Sequence, residues 1–101
     1  MILEKVINGC GCTLIKGDAG TKVTSVCNDS RKAASGSLFV AVRGFASDGH
    51  SYIATALEKG ACAVVYEDQE MADAQIQQSG RTDVTMIKVE SSRYALAIIA
   101  A

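Results

Sequence analysis

The 101-residue sequence predicts an α/β fold, a mixed, partly parallel sheet with flanking helices. Three observations carry that expectation. Leu38-Phe39-Val40-Ala41-Val42 and Cys62-Ala63-Val64-Val65-Tyr66 are continuous apolar runs, the pattern of strands buried on both faces. Between them Tyr52, Ile53, Ala56 and Leu57 form one apolar stripe at helical spacing, closed by Gly60. A strand, a helix of about ten residues and a second strand, joined by short loops, make a crossover whose strands run parallel.

The remaining elements follow in order. Leu3, Val6 and Ile7 recur at helical spacing ahead of Asn8-Gly9, which predicts a short helix over 2–8. Thr13-Leu14-Ile15 reads as a short strand, and residues 16–20 (KGDAG) as a hairpin-type turn. Glycines so spaced suggest a phosphate cradle, but the Gly-Lys-Ser/Thr ending that makes such a loop specific occurs nowhere in the chain. Residues 21–27 are rich in β-formers, with Val23, Ser25 and Cys27 on one face, and predict a strand. A polar loop over 28–36 precedes the buried strand 37–42, and a second loop over 43–49 precedes a helix with Ser51 as its N-cap. After the strand 62–66, residues 70–78 predict a solvent-facing helix and 84–89 a further strand. From Ser91 an apolar helix begins that meets no polar closing residue. This predicts a segment cut at a domain boundary: residues 1–90 form one domain, and 91–101 start a helix leading out of it.

Composition excludes several functions. Lys and Arg number 10 against 11 Asp and Glu, without the basic surplus or stripe that grips a polyanion, so nucleic acid is not an expected partner. The N-terminus has no basic region ahead of a long apolar core, and no apolar run approaches the ~20 residues that span a bilayer. No membrane association is expected. Cys10, Cys12, Cys27 and Cys62 fit neither a disulfide framework nor a metal knuckle, which predicts structural thiols in a reducing cytoplasm and no metal site.

Two polar clusters bracket the strand 37–42. In Asp29-Ser30-Arg31, Asp and Ser suit turn capping and Asp–Arg pairs brace loops. The Ser30 hydroxyl equally suits a ligand carbonyl or hydroxyl, and Arg31 offers a planar fork for carboxylate or phosphate. In Ser47-Asp48-Gly49-His50, the Asp beside the only His has the makings of an acid–base pair. Without a nucleophile or substrate contact it reads better as a local hydrogen-bond pair or a ligand contact. The helix start near Ser51 suits an anion. Phe45, in a glycine-flanked loop, either stacks on a planar ring or folds back onto the core.

At this point the residues resemble a known family. Asp29-Ser30-Arg31, Gly36, Leu38-Phe39-Val40-Ala41, Gly44, Asp48-Gly49-His50 and Gly60-Ala61 are similar to the pattern of the N-terminal domain of the Mur ligases. Val89-Glu90-Ser91-Ser92-Arg93 with Ala95-Leu96-Ala97 resembles the segment leading into that family's ATPase domain. The resemblance is specific over 23–66, good over 84–101 and weak over 1–20. Within the family it favours the branch that adds the third amino acid to UDP-N-acetylmuramoyl-L-alanyl-D-glutamate over the branch that adds D-alanyl-D-alanine.

The resemblance implies that this segment holds the uridine end of the UDP-muramoyl dipeptide, through Asn28 and Ser30 and through the loop residues Phe45, Ala46 and Ser47. Asp48 and His50 contact the substrate or only shape the loop. The resemblance implies ATP and magnesium for the parent enzyme, but this chain carries no phosphate loop, no cofactor site and no catalytic residue. It is therefore expected to be inactive alone, its partners being the substrate and the absent ATPase and C-terminal domains. A non-enzymatic interaction module that kept the fold is the rival from another class.

Overall fold

The computed structural model describes residues 2–7, 12–18, 20–42 and 48–99. Its elements in order are α1 (Leu3–Ile7), β1 (Thr13–Lys16), β2 (Ser25–Cys27), β3 (Ser37–Val40), α2 (Ile53–Glu58), β4 (Ala63–Tyr66), α3 (Gln69–Ser79), β5 (Thr85–Lys88) and α4 (Ser92–Ile99). Short 3-10 turns at Ser30–Lys32 and Gly49–Tyr52 end the loops after β2 and before α2. The strands form one sheet in the order β1-β5-β4-β3-β2. Every pair is parallel except β1 with β5, so the predicted mixed α/β sheet is present.

Alternation along β3 and β4 sorts the core into two halves, because successive side chains of a strand point to opposite faces. Phe39, Val64 and Tyr66 face one side with Ile53, Ala56 and Leu57 of α2 and Ala72 of α3. Leu38, Val40, Ala63 and Val65 face the other with Leu3 of α1 and Ala95 of α4. All four residues of each strand are buried, as continuous apolar runs require. Cys12, Cys27 and Cys62 are half-buried and in no disulfide, and burial pushes the Cys27 and Cys62 thiols above their ordinary range. That makes them poor nucleophiles, in keeping with a packing role. Cys10 lies outside the described residues.

Several local expectations need correction. The turn at 16–20 joins no hairpin: β1 lies at one edge of the sheet beside β5, and β2 at the other. The intervening chain instead runs past the α1 layer, where Lys22 bridges Ile2 and Val23 is buried beside the residues of α1 and α4. Residues 21–24 are therefore not strand, and Thr24 is tied to the next turn by bonds to the carbonyls of Ser35 and Gly36. Ser51 does not cap the helix after β3: a 3-10 turn capped by Asp48 comes first, and α2 starts after Tyr52 without a side-chain cap. Gly60 follows its C-cap with φ +108°, as predicted. The α3 helix is not wholly solvated, for Ala72 is buried and Ile76 packs on the core. The α4 helix buries Ala95 but leaves Tyr94 and Ile98 exposed.

Leu57, 1% exposed between α2 and the sheet, tests this packing. Leu57→Ala is expected to lower the unfolding free energy by ~3 kcal/mol, measured as the shift of the urea midpoint at constant slope.

Candidate functional site

A cleft of about 630 Å³ opens where β2 and β3 end. Asn28, Asp29, Ser30, Arg31 and Lys32 line it from the loop after β2, and Val42, Gly49 and Tyr52 line it from the segment after β3. Phe39, fully buried in β3, forms its floor. The carboxyl ends of parallel strands in an open α/β sheet are where such folds bind ligands, because the loops there diverge and leave a crevice.

The first wall is a braced turn. The Asp29 carboxylate accepts from the Arg31 N–H at 2.9 Å and from the Arg31 guanidinium at 2.9 and 3.1 Å. These bonds, the guanidinium's first, hold the Asp29 carboxyl at about 2, well below the usual carboxylate range. The turn buries Ser30 to 7% exposure at the cleft wall, while Arg31 and Asn28 stay exposed.

The second wall depends on Gly49. Its N–H donates to the Val42 carbonyl at 2.8 Å, which pins together the two ends of the loop 43–48. A Cβ at Gly49 would sit 2.7 Å from the Val42 nitrogen, so only glycine permits this approach. Asp48 then caps the following 3-10 turn, accepting from the His50 N–H at 3.0 Å and pairing with the ring Nδ1 at 2.7 Å.

His50 is fully buried. Its Nε2 accepts from the backbone N–H groups of Glu67 at 2.9 Å and Asp68 at 3.2 Å. An accepting Nε2 carries a lone pair, so the ring proton sits on Nδ1 and donates to Asp48. Both nitrogens are thereby committed inside the protein, and the side chain acts as a brace between the loop and the end of β4. Of the two readings of Asp48 and His50, this geometry supports shaping of the loop.

The structure thus brings Asn28, Ser30 and both ends of the 43–48 loop to one cleft. Phe45, Ala46 and Ser47 lie outside the described residues. Tyr52, assigned by its spacing to the core stripe of α2, is 46% exposed and lines the cleft instead. The 3-10 turn that ends there shifts the face it presents, and the Asp48-Gly49 pair was the signal for that turn.

A second hollow of about 660 Å³ lies at the ends of β4 and β5. Glu67, Asp68, Glu70 and Glu90 line it against one cation, Lys88. Its acidic lining disfavours an anionic ligand, whereas Arg31 and Lys32 outnumber Asp29 at the first cleft. Among the described residues, no three or more His, Cys, Asp or Glu converge to hold a metal, and no helix is long and apolar enough to cross a membrane.

Two measurements test these walls. Ionised Asp29 is favoured by folding, so its contribution is present above the ordinary value of 3.8 and is lost as pH falls toward about 2. Between those limits the unfolding midpoint of the native chain is expected to fall more steeply than that of Asp29→Asn. His50→Leu strands the Glu67 and Asp68 N–H groups and is expected to cost ~2 kcal/mol in urea unfolding.

Residues 22–101 match the family described as "Mur ligase family, catalytic domain". The chain is 39% identical over 99 residues to UDP-N-acetylmuramoyl-L-alanyl-D-glutamate--2,6-diaminopimelate ligase of Clostridium perfringens (strain 13 / Type A), covering 98% of this chain and 19% of that protein. It is 48% identical over 80 residues to UDP-N-acetylmuramyl-tripeptide synthetase of Roseiflexus sp. (strain RS-1), covering 79% of this chain and 14% of that protein. Among solved structures, it resembles the UDP-N-acetylmuramoylalanyl-D-glutamyl-2,6-diaminopimelate--D-alanyl-D-alanyl ligase of Acinetobacter baumannii. The TM-score is 0.59 at 24% identity, over 75% of this chain and 15% of the other, a likeness of fold alone. The chain spans about a fifth of the length of the first of these relatives. With most of its length matched, the chain belongs to the Mur ligase family.

Proposed function

We propose that this chain binds the uridine end of UDP-N-acetylmuramoyl-L-alanyl-D-glutamate. It serves as the substrate-binding domain, over residues 1–90, of a cytoplasmic ATP-dependent ligase that adds the third stem-peptide residue in peptidoglycan synthesis. The observation that carries this reading is the cleft after β2 and β3, where Asn28 and Ser30 meet the two ends of the loop containing Phe45, Ala46 and Ser47. Such a crevice, with the exposed ring of Tyr52 and a few polar groups at its walls, suits a planar base with a hydrophilic sugar. Arg31 and Lys32 at its lip suit the diphosphate.

The names of the curated relatives, at 39% and 48% identity, support the third-residue branch over the D-alanyl-D-alanine branch, whose solved structures resemble this chain at 24% and 31% identity. Acyl-phosphate chemistry in the family requires ATP and magnesium. This sequence has no Gly-Lys-Ser/Thr loop to hold the phosphates. The residues present do not fit that nucleotide, and no step of the reaction is assigned to them. Alone, the chain is expected to bind substrate without turning it over.

Titration with UDP, followed through backbone amide shifts, tests the reading. Changes are expected at 28–32 and 48–50, and silence there at about millimolar ligand would leave an interaction module as the better account. Ser30→Ala is expected to weaken binding by ~1 kcal/mol, the scale of one hydrogen bond.

A further inference from the structure

We infer that His50 and Glu67 are positioning residues that tie Asp48, at the second wall of the candidate uridine cleft, to helix α4. The inference rests on the reading of the cleft given above. Glu67 is the joint. Its N–H donates to the buried His50 ring, whose other nitrogen holds Asp48 at the end of the loop. Its side chain turns toward α4, where one carboxylate oxygen accepts from the Ser92 N–H at 3.0 Å and the Ser92 hydroxyl at 2.5 Å. Ser92 is fully buried, and it is the first residue of α4.

The chemistry suits a fixed linkage. A carboxylate at the first turn of a helix meets donors without intrahelical partners, so its bonds there are charge-assisted. Each hydrogen bond from Asp48 to Ser92 is short and has at least one fully buried partner, and the Glu67 side chain that joins two of them is held at its end by both bonds from Ser92. Glu67 also follows β4 directly, so the sheet itself fixes the joint. On the reading that α4 leads into the ATPase domain, this line holds the nucleotide end of the substrate at a set offset from the chain that follows. Neither Glu67 nor Ser92 lines the cleft, so their part is positional and not one of contact.

The test uses the 101-residue chain, UDP as probe, and amide shifts as readout. In the native chain UDP is expected to shift 28–32 and 48–50 and also Ser92 and Tyr94. In Glu67→Ala, which keeps the backbone N–H to His50, the cleft signals are expected to keep their midpoint within about twofold while those at 92–94 fall silent. Glu67→Gln, which retains an acceptor oxygen, is expected to restore them. Cleft shifts without any response at 92–94 in the native chain would overturn the linkage and leave the uridine reading standing. A response at 92–94 that survives Glu67→Ala would overturn it too. Silence at both places would overturn the uridine reading, and the linkage with it. Should Glu67→Ala fail to fold, Ser92→Ala removes the shorter bond from the other side with the same expectation.

Discussion

The imidazole of His50 is the point on which the arrangement of this molecule turns. A neutral ring inside the protein joins the loop before α2 to the chain leaving β4, accepting two backbone N–H groups on one nitrogen and donating to Asp48 from the other. A buried polar group is tolerable only when fully satisfied, and then it specifies one arrangement over its competitors. Neither an alkyl side chain nor a lysine offers an acceptor for the N–H groups together with a donor for Asp48.

That brace works because the central strands beneath it, β3 and β4, are buried on both faces. Parallel pairing of β2, β3 and β4 delivers their carboxyl ends to one edge, and the helices α2 and α3 seal one face while α1 and α4 seal the other. Phe39 belongs to both the core and the cleft floor, so the packing that stabilises the fold also sets the depth of the cleft. Arg81 reinforces the same half: it donates to the carbonyls of Leu57 and Ala61 while paired with Asp83, closing the end of α2 onto the start of β4.

What the sequence disclosed followed from local rules. The runs at 38–42 and 62–66 announced doubly buried strands, and the stripe between them announced their crossover helix, because burial on two faces leaves no polar alternation. Asp29 was visible as a turn-former, whereas Asp48 was missed as a cap because a helix start was sought at Ser51. The role of His50 was legible in part: its pairing with Asp48 was among the readings, but its other partners are backbone N–H groups at 67 and 68, which carry no side-chain signature. The strand expected over 21–27 failed for a related reason. Its β-formers announced a strand, but Lys22 bridges Ile2 and only residues 25–27 find a sheet partner. Nor does the pattern of Thr13–Lys16 say that its partner lies at 85–88, since pairing register between distant strands leaves no local mark.

The strand order has a consequence for how the polypeptide acquires this shape. Among the described elements β1 comes second in the chain, and its sheet neighbour is β5, the last of the five described strands. Until residues 85–88 emerge, Leu14 and Ile15 have no sheet to join and the flank of β4 stands open. The β2-β3-β4 half can assemble early from contacts close in sequence, whereas sheet completion waits on a long chain closure, the slow kind of event in folding. Synthesis therefore produces a half-built sheet with a greasy flank, and chaperone contact during translation has an obvious target there.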